Sequence, residues 1–267
     1  MDELDLDSMF PEPPRPPSPE PTISTYERDS AFVKGPEDWS AIDIRLVGDH
    51  PLWGHHLWNA ARSFASYLDT NTPLYKNLNV LELGAGGALP SLVAAKNHAG
   101  LVVITDYPDD SLIDNIQFNI SRNLNPSEHD RSFARGYIWG RSTDELLALA
   151  EEKTGRGSYD LIILSDLVFN HSQHDALLTT CESALTPSSP SPSSGSATVT
   201  PSVLVFYTHH RPHLAHRDME FFSKAEARGW AVEKVVEERF PPMFPDDPGD
   251  EEVRSTVHGW KLTRPPP

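Results

Sequence analysis

Cysteine occurs once in the 267-residue chain, at Cys181, so no disulfide closes within it, and zinc ribbons and paired-thiol redox motifs are excluded. Basic residues are also scarce: 22 Lys and Arg stand against 39 Asp and Glu, a formal charge of −17. A general nucleic-acid binder needs a cationic face for phosphates, so direct nucleic-acid binding is not expected, whereas a basic protein partner suits this surface. No apolar run approaches the roughly 18 residues that span a bilayer, and the opening MDELDLDSMFPEPPRPPSPEP has neither a basic start nor an apolar core. The expectation is a cytoplasmic monomer that does not meet a membrane.

Proline is plentiful at 25 residues, and it is concentrated where the chain carries least apolar sequence. Residues 1–30, acidic and proline-rich, bury too little apolar area to offset the entropy of ordering them and are expected to be a disordered tail. Residues 31–267 then form one domain, with the Ser/Pro-rich stretch 186–202 as a long loop inside it. Within that domain strand-like and helix-like segments alternate. Strands are expected at Asn79–Leu83, Leu101–Thr105, Ala134–Trp139, Tyr159–Ser165 and Val203–Thr208. Helices are expected at Leu57–Leu68, Pro90–His98, Ser111–Asn123, Thr143–Lys153, Gln173–Leu185 and Leu214–Arg228. Two further strands, Trp230–Glu237 and Thr256–Leu262, follow with no helix between them, which implies an antiparallel closure of the sheet. This order is that of the class I methyltransferase (Rossmann-like) fold: α/β, seven mostly parallel strands with one antiparallel terminal strand, and helices on both faces. Classical dinucleotide-binding domains keep the strand–helix alternation in each half instead.

The stretch NVLELGAGGALPSLVAA places three glycines within four positions between a buried strand and a helix. Such a turn brings backbone N–H groups close to a bound molecule. Its core, Glu82-Leu-Gly84-Ala85-Gly86-Gly87-Ala88, resembles the first motif of enzymes that use S-adenosylmethionine, with Ala88 at the last glycine position. Asp106 follows the next strand, 22 positions after Gly84, where a carboxylate can accept from both ribose hydroxyls; a helix cap or loop acid is the alternative. Glu82 would face the turn from the strand end and hold its geometry.

The segments LVGDHPLWGHHLWNAARSFASYL, ITDYPDDSLIDNI, the WG at Trp139, ILSDLVFNHSQH and FYTHHRP make the likeness more specific. From about Arg45 onward the chain resembles the fungal elongation-factor methyltransferases once labelled nicotinamide N-methyltransferase-like, which are protein N-terminal and lysine methyltransferases. The resemblance implies S-adenosylmethionine as cofactor, with Gly84, Ala85 and Gly86 giving backbone to it. Trp58, 26 residues before Gly84, would contact it from the first helix, and Trp139 and Ser165 would border its adenine and methionyl ends. Without the resemblance both tryptophans read as core. It further implies elongation factor 1-alpha as the protein substrate, methylated on its N-terminal glycine and adjacent lysine.

For the chemistry, SDLVFNH after the fourth strand resembles that group's Asp-x-x-Phe/Tyr signature, here Asp166 and Phe169. Asp166 would orient the target ammonium, although a helix N-cap is its other reading, and Phe169 would wall the channel. Asn170 and His171 would add polar contacts; Trp53, His209 and His210 would line the substrate side. No metal site is expected, because Pro212 interrupts the histidine spacing of THHRPHLAH and no carboxylate lies close by in the sequence. Two other readings stay open: a small-molecule, nicotinamide-like N-methyltransferase, and a non-catalytic module that binds the cofactor. A nicotinamide-dependent oxidoreductase is disfavoured by the terminal strand pair and the missing third glycine.

Overall fold

Strands that read as unbroken apolar runs are those buried on both faces, and four of them form the centre of this fold. The computed structural model describes residues 19–48, 50–52, 54–188 and 199–265. In chain order its elements are β1 (Thr22–Glu27), β2 (Ala41–Leu46), α1 (Asn59–Thr70), β3 (Asn79–Leu83), α2 (Leu89–Lys96), β4 (Leu101–Asp106), α3 (Asp110–Asn123), α4 (Pro126–His129) and β5 (Ser132–Gly136). They continue with α5 (Asp144–Thr154), β6 (Leu161–Ser165), α6 (His174–Ala184), β7 (Ser202–Thr208), α7 (Ala215–Ala227), β8 (Ala231–Arg239), α8 (Glu251–Ser255) and β9 (Thr256–Thr263).

Seven strands form one sheet in the order β5-β4-β3-β6-β7-β9-β8. All pairings are parallel except those of β9, which inserts antiparallel between β7 and β8. The expected fold class is therefore the one observed. Successive strand residues face opposite sides, and the core divides accordingly. Val80, Val102, Ile163 and Phe206 pack with Phe64 of α1, Leu92 of α2 and Ile116 of α3. Leu81, Val103, Ile162 and Val205 pack with Leu149 of α5, Leu177 of α6 and Phe221 of α7.

Besides the short α8, which Asp250 caps between two strands expected to have no helix between them, two expectations change. The tail expected to run to residue 30 is cut short, because Thr22–Glu27 is a strand that pairs antiparallel with β2. Its neighbour Pro-rich sequence hid a short β-branched run, TISTYE, whose Tyr26 is buried against the core. The remainder of that tail, residues 1–18, lies outside the described residues, as does 189–198 of the Ser/Pro-rich loop. Second, β5 stops at Gly136, so Trp139 lies in the loop beyond the strand rather than at its end.

The outer edge of β2 is held by side chains rather than by another strand. On α3, Asn119 accepts from the Arg45 N–H and donates to the Arg45 carbonyl, both at 2.8 Å. One turn on, Asn123 does the same for Asp43, at 3.1 and 2.9 Å. Asn119 also donates to the Gly87 carbonyl at 3.1 Å, so the ladder reaches the glycine turn.

Candidate active site

In an open α/β sheet, ligands bind beyond the carboxyl ends of the strands where the strand order reverses. Here the chain leaves β3 to one side for β4 and β5, and to the other for β6 and β7, so the crevice lies between the ends of β3 and β6. Leu83 pairs in register with Leu164, which sets Gly84 level with Ser165 and one strand away from Asp166.

The glycine turn needs its residue types. Gly84 has φ +60°, and a Cβ there would come within 2.8 Å of Trp139 Cζ2 and of Leu167 Cδ2. Gly86 has φ +53°, and a Cβ on it would meet nothing closer than the Gly54 Cα at 4.0 Å, so open space lies over its backbone. Ala85 is tied down by its N–H, which donates to the Thr105 carbonyl at 3.0 Å. Ala88, the residue at the last glycine position, adopts φ +64° and still closes the turn by donating its N–H to Ala85 O at 2.7 Å. A side chain in that conformation costs roughly 1–2 kcal/mol.

Asp106 braces the turn: one carboxylate oxygen accepts the Gly86 N–H and the other the Tyr107 N–H, both at 2.7 Å. Burial pushes its pKa up, and the two N–H groups oppose this. Each oxygen keeps a second lone pair for ribose hydroxyls. Glu82 is fully buried. Because the α2 N-cap position is Ala88, which has no capping side chain, Glu82 Oε2 accepts the Ser91 N–H of the first turn at 3.2 Å. Its other oxygen, Oε1, has no partner among the described residues. Burial drives the Glu82 pKa up to about 8. Open backbone above Gly86 and a braced carboxylate with lone pairs to spare together fit a nucleoside. Tyr107, next to Asp106, and Ile138, next to the Tyr137 whose N–H donates to Asp106 O at 2.7 Å, are 49% and 41% exposed, and the motif reading did not single them out.

The second half of the site forms around Asp166. It is buried, adopts φ +58°, and donates its N–H to Phe206 O at 2.7 Å. Its Oδ2 lies 2.9 Å from His210 Nε2 beyond the end of β7. Burial alone would lower the His210 pKa, but the Asp166 carboxylate outweighs it and the net shift is upward. The His210 ring lies 4.8 Å from Trp58, which also meets His56 at 5.1 Å and Phe244 at 6.0 Å, centroid to centroid. The 54–58 segment therefore stretches from the glycine turn, at Gly54, to His210. Phe244 comes from the long connection between β8 and β9, which is pinned where Arg254 donates to its carbonyl at 2.7 Å and Asn59 donates to Pro241 O at 2.8 Å. Sequence reading missed Phe244, one of two phenylalanines, with Phe240, in an acidic, proline-rich loop.

Other expected substrate-side residues are placed differently. His209 Nδ1 and His171 Nε2 both pair with Asp218 of α7, each at 2.6 Å, so these two rings meet one carboxylate and not Asp166. Asn170 turns its backbone into the loop, with its N–H on Leu167 O at 3.1 Å. Phe169 is 41% exposed at the mouth. Trp53 lies outside the described residues. Ser165 ends β6 half-buried, and Trp139 is packed on the core beside Gly84. Among the described residues no cluster of His, Cys, Asp or Glu is arranged to hold a metal, and no helix is long and apolar enough to cross a membrane.

Residues 42–227 match the family described as lysine methyltransferase. The chain belongs to the lysine methyltransferase family. Among relatives of this family member, the protein N-terminal and lysine N-methyltransferase EFM7 of Cryptococcus neoformans is 49% identical over 270 residues, 98% of this chain and 89% of that protein. Its namesake in Schizosaccharomyces pombe is 43% identical over 253 residues, 95% of this chain and 92% of that one. The solved TYW2 of Pyrococcus horikoshii, in complex with MeSAdo, shares the fold with a TM-score of 0.52 at 14% identity, over 91% of this chain and 72% of that chain. This lysine methyltransferase family member is accordingly a methyltransferase, built on the class I fold that its strand order implied.

Proposed function

We propose that this enzyme moves the methyl group of S-adenosylmethionine to elongation factor 1-alpha, onto the N-terminal glycine amine and the side chain of the adjacent lysine. The observation that carries the reading is the buried Asp166, paired with His210 and set one strand away from the glycine turn. Bound at that turn, S-adenosylmethionine supplies an electrophilic methyl group on a sulfonium. Gly84, Ala85 and Gly86 would give it backbone, Asp106 would take the ribose hydroxyls, and Trp139, Ser165 and Trp58 would flank it. Glu82 would hold the turn from beneath through the Ser91 N–H.

The acceptor must present a nitrogen lone pair in line with the methyl carbon and the departing sulfur. A free α-amine has a pKa of about 7.7–8.0 and lysine about 10.4, so the first loses its proton readily at neutral pH and the second needs help. Asp166 attracts and aims the ammonium. Because a carboxylate also raises an amine's pKa, its larger contribution is position. Phe169 and Asn170 border the entrance, while Asp218 fixes His171 and His209 and so holds α7 against the β6 and β7 loops. The chain's net charge of −17 favours a cationic N-terminal segment as partner. The relatives' shared name supports the pair of acceptors, and the likeness of the motif segments to elongation-factor methyltransferases supports the factor.

The test is intact-mass and fragment-ion spectrometry of purified elongation factor 1-alpha after incubation with the enzyme and S-adenosylmethionine. Methyl increments on the first glycine or the adjacent lysine are expected. An unmodified factor, in a preparation that binds S-adenosylmethionine, would refute the substrate.

A further inference from the structure

We propose that His210 is the proton acceptor for the target amine and that it acts through Nδ1 while Asp166 holds its Nε2–H. This rests on the reading above that the amine enters beside Asp166, and it has Asp166 act on the amine through the His210 ring, since a carboxylate on Nε2 and an amine on Nδ1 lie on different sides of the imidazole.

The geometry selects both the residue and the atom. Asp166 Oδ2 is an acceptor 2.9 Å from His210 Nε2, so the neutral ring carries its proton on Nε2. The lone pair is then on Nδ1, which makes no hydrogen bond among the described residues. A carboxylate behind an imidazole fixes its tautomer and steadies the imidazolium once the proton arrives. The other rings nearby are committed or disfavoured. His209 and His171 share Asp218, and His174 is fully buried with Nε2 on the Val168 carbonyl at 2.7 Å. Burial drives His258 down to about 4, and burial together with His55 lowers His56.

The matching of acid strengths also favours the imidazole. Its ordinary pKa of about 6.5 lies within ~1.5 units of an α-ammonium, whereas a carboxylate at about 3.9 lies ~4 units below it. The charged and titratable groups that face His210 are Asp166 from the end of β6, Asp218 from α7, Arg211 next in the chain, and His56 across Trp58 from the segment before α1. Asp166 dominates, and the net effect raises the ring's proton affinity towards that of the amine.

In the step, an ammonium N–H bond breaks, its electron pair stays on nitrogen, and the proton forms the Nδ1–H bond of an imidazolium paired with Asp166. The freed lone pair makes the N–C bond as the C–S bond of the donor breaks and its electrons remain on sulfur. The imidazolium afterwards returns its proton to solvent.

Two measurements on the full chain test this. In ring ¹⁵N spectra of the enzyme, neutral His210 is expected with Nε2 protonated and Nδ1 bare; the opposite tautomer would overturn the proposal without any substrate being present. In turnover, His210→Gln keeps a donor for Asp166 but accepts no proton, and its kcat is expected to fall by about 10²-fold or more while S-adenosylmethionine affinity stays within twofold. The wild-type kcat should rise with pH through a histidine-like ionisation that the Gln variant lacks. His210→Ala should recover in added imidazole in proportion to its neutral fraction. A Gln variant within threefold of wild type, or one that keeps the wild-type pH profile, would overturn the assignment. An Asp166→Asn variant with unchanged kcat would instead sink the underlying reading of the site, and it is distinguishable because the ring spectrum reports on His210 alone.

Discussion

Replacing Glu82 with glutamine keeps the shape and the acceptor for the Ser91 N–H while removing an ionisation that burial makes expensive. The carboxyl has a pKa of about 8 in the folded enzyme and an ordinary value near 4.5 when the chain is unfolded. The folded state therefore binds more protons between those values, and stability must fall as pH rises through that window. At 1.36 kcal/mol per unit, the wild type should lose on the order of 3–4 kcal/mol between pH 5 and pH 8 from this group alone. Glu82→Gln should lack that slope, so the two proteins should be closely similar near pH 5 and the variant more stable near pH 8. Urea unfolding of both at pH 5, 6, 7 and 8 isolates the effect, because titrating groups that do not interact with Glu82 cancel in the difference, which leaves only its coupling to Asp106. Stability curves that run parallel across the series would show that Glu82 is already ionised in the fold and would refute the reasoning.

The two aspartates should separate by function: Asp106→Ala is expected to weaken S-adenosylmethionine binding about 10²-fold by calorimetry, since it removes charge-assisted ribose contacts and the Gly86 brace. Asp166→Ala should leave that affinity intact and slow turnover, and equal effects on both quantities would undo the division. Gly84→Ala and Gly155→Ala both place a side chain at positive φ, but only the first would strike Trp139 and Leu167, since nothing lies within 4 Å of the second. Gly155→Ala should lose about 1–2 kcal/mol in denaturation and Gly84→Ala more than that, and only Gly84→Ala should also lose cofactor binding. Asn119→Leu should cost roughly 2 kcal/mol, because it leaves the Arg45 amide and the Gly87 carbonyl without their partner, while the Arg45 carbonyl keeps Asn115 at 2.9 Å; a loss below about 0.5 kcal/mol by urea unfolding would contradict the ladder.

The position of the glycine turn and its acid in the candidate site was legible because that information is local in the chain. Gly84, Gly86 and Asp106 sit at strand ends, and strand, turn and acid recur at a spacing that the sheet itself imposes. Asp166 was legible for the same reason, at the end of β6. What escaped depends on contacts between distant segments. Phe244 reaches Trp58 only because the β8–β9 connection folds back across α1, and nothing near residue 244 reports that. Asp218 gathers His171 and His209 from separate loops, 47 and 9 positions away, so histidines that look equivalent in the sequence divide between two carboxylates. Strand β1 was hidden because a short alternating run beside proline-rich sequence gains its burial only from β2 and α1.

The paired amides of Asn119 and Asn123 have a consequence for the molecule's dealings with its own copies. An exposed strand edge is a template onto which a second chain can add, and the β1–β2 ribbon stands apart from the main sheet, where such an edge is most accessible. The outward N–H and C=O groups of Asp43 and Arg45 are already occupied by side chains of the chain's own helix. A visiting strand would have to displace five hydrogen bonds before making its first, so the β2 edge of the ribbon is guarded against strand addition.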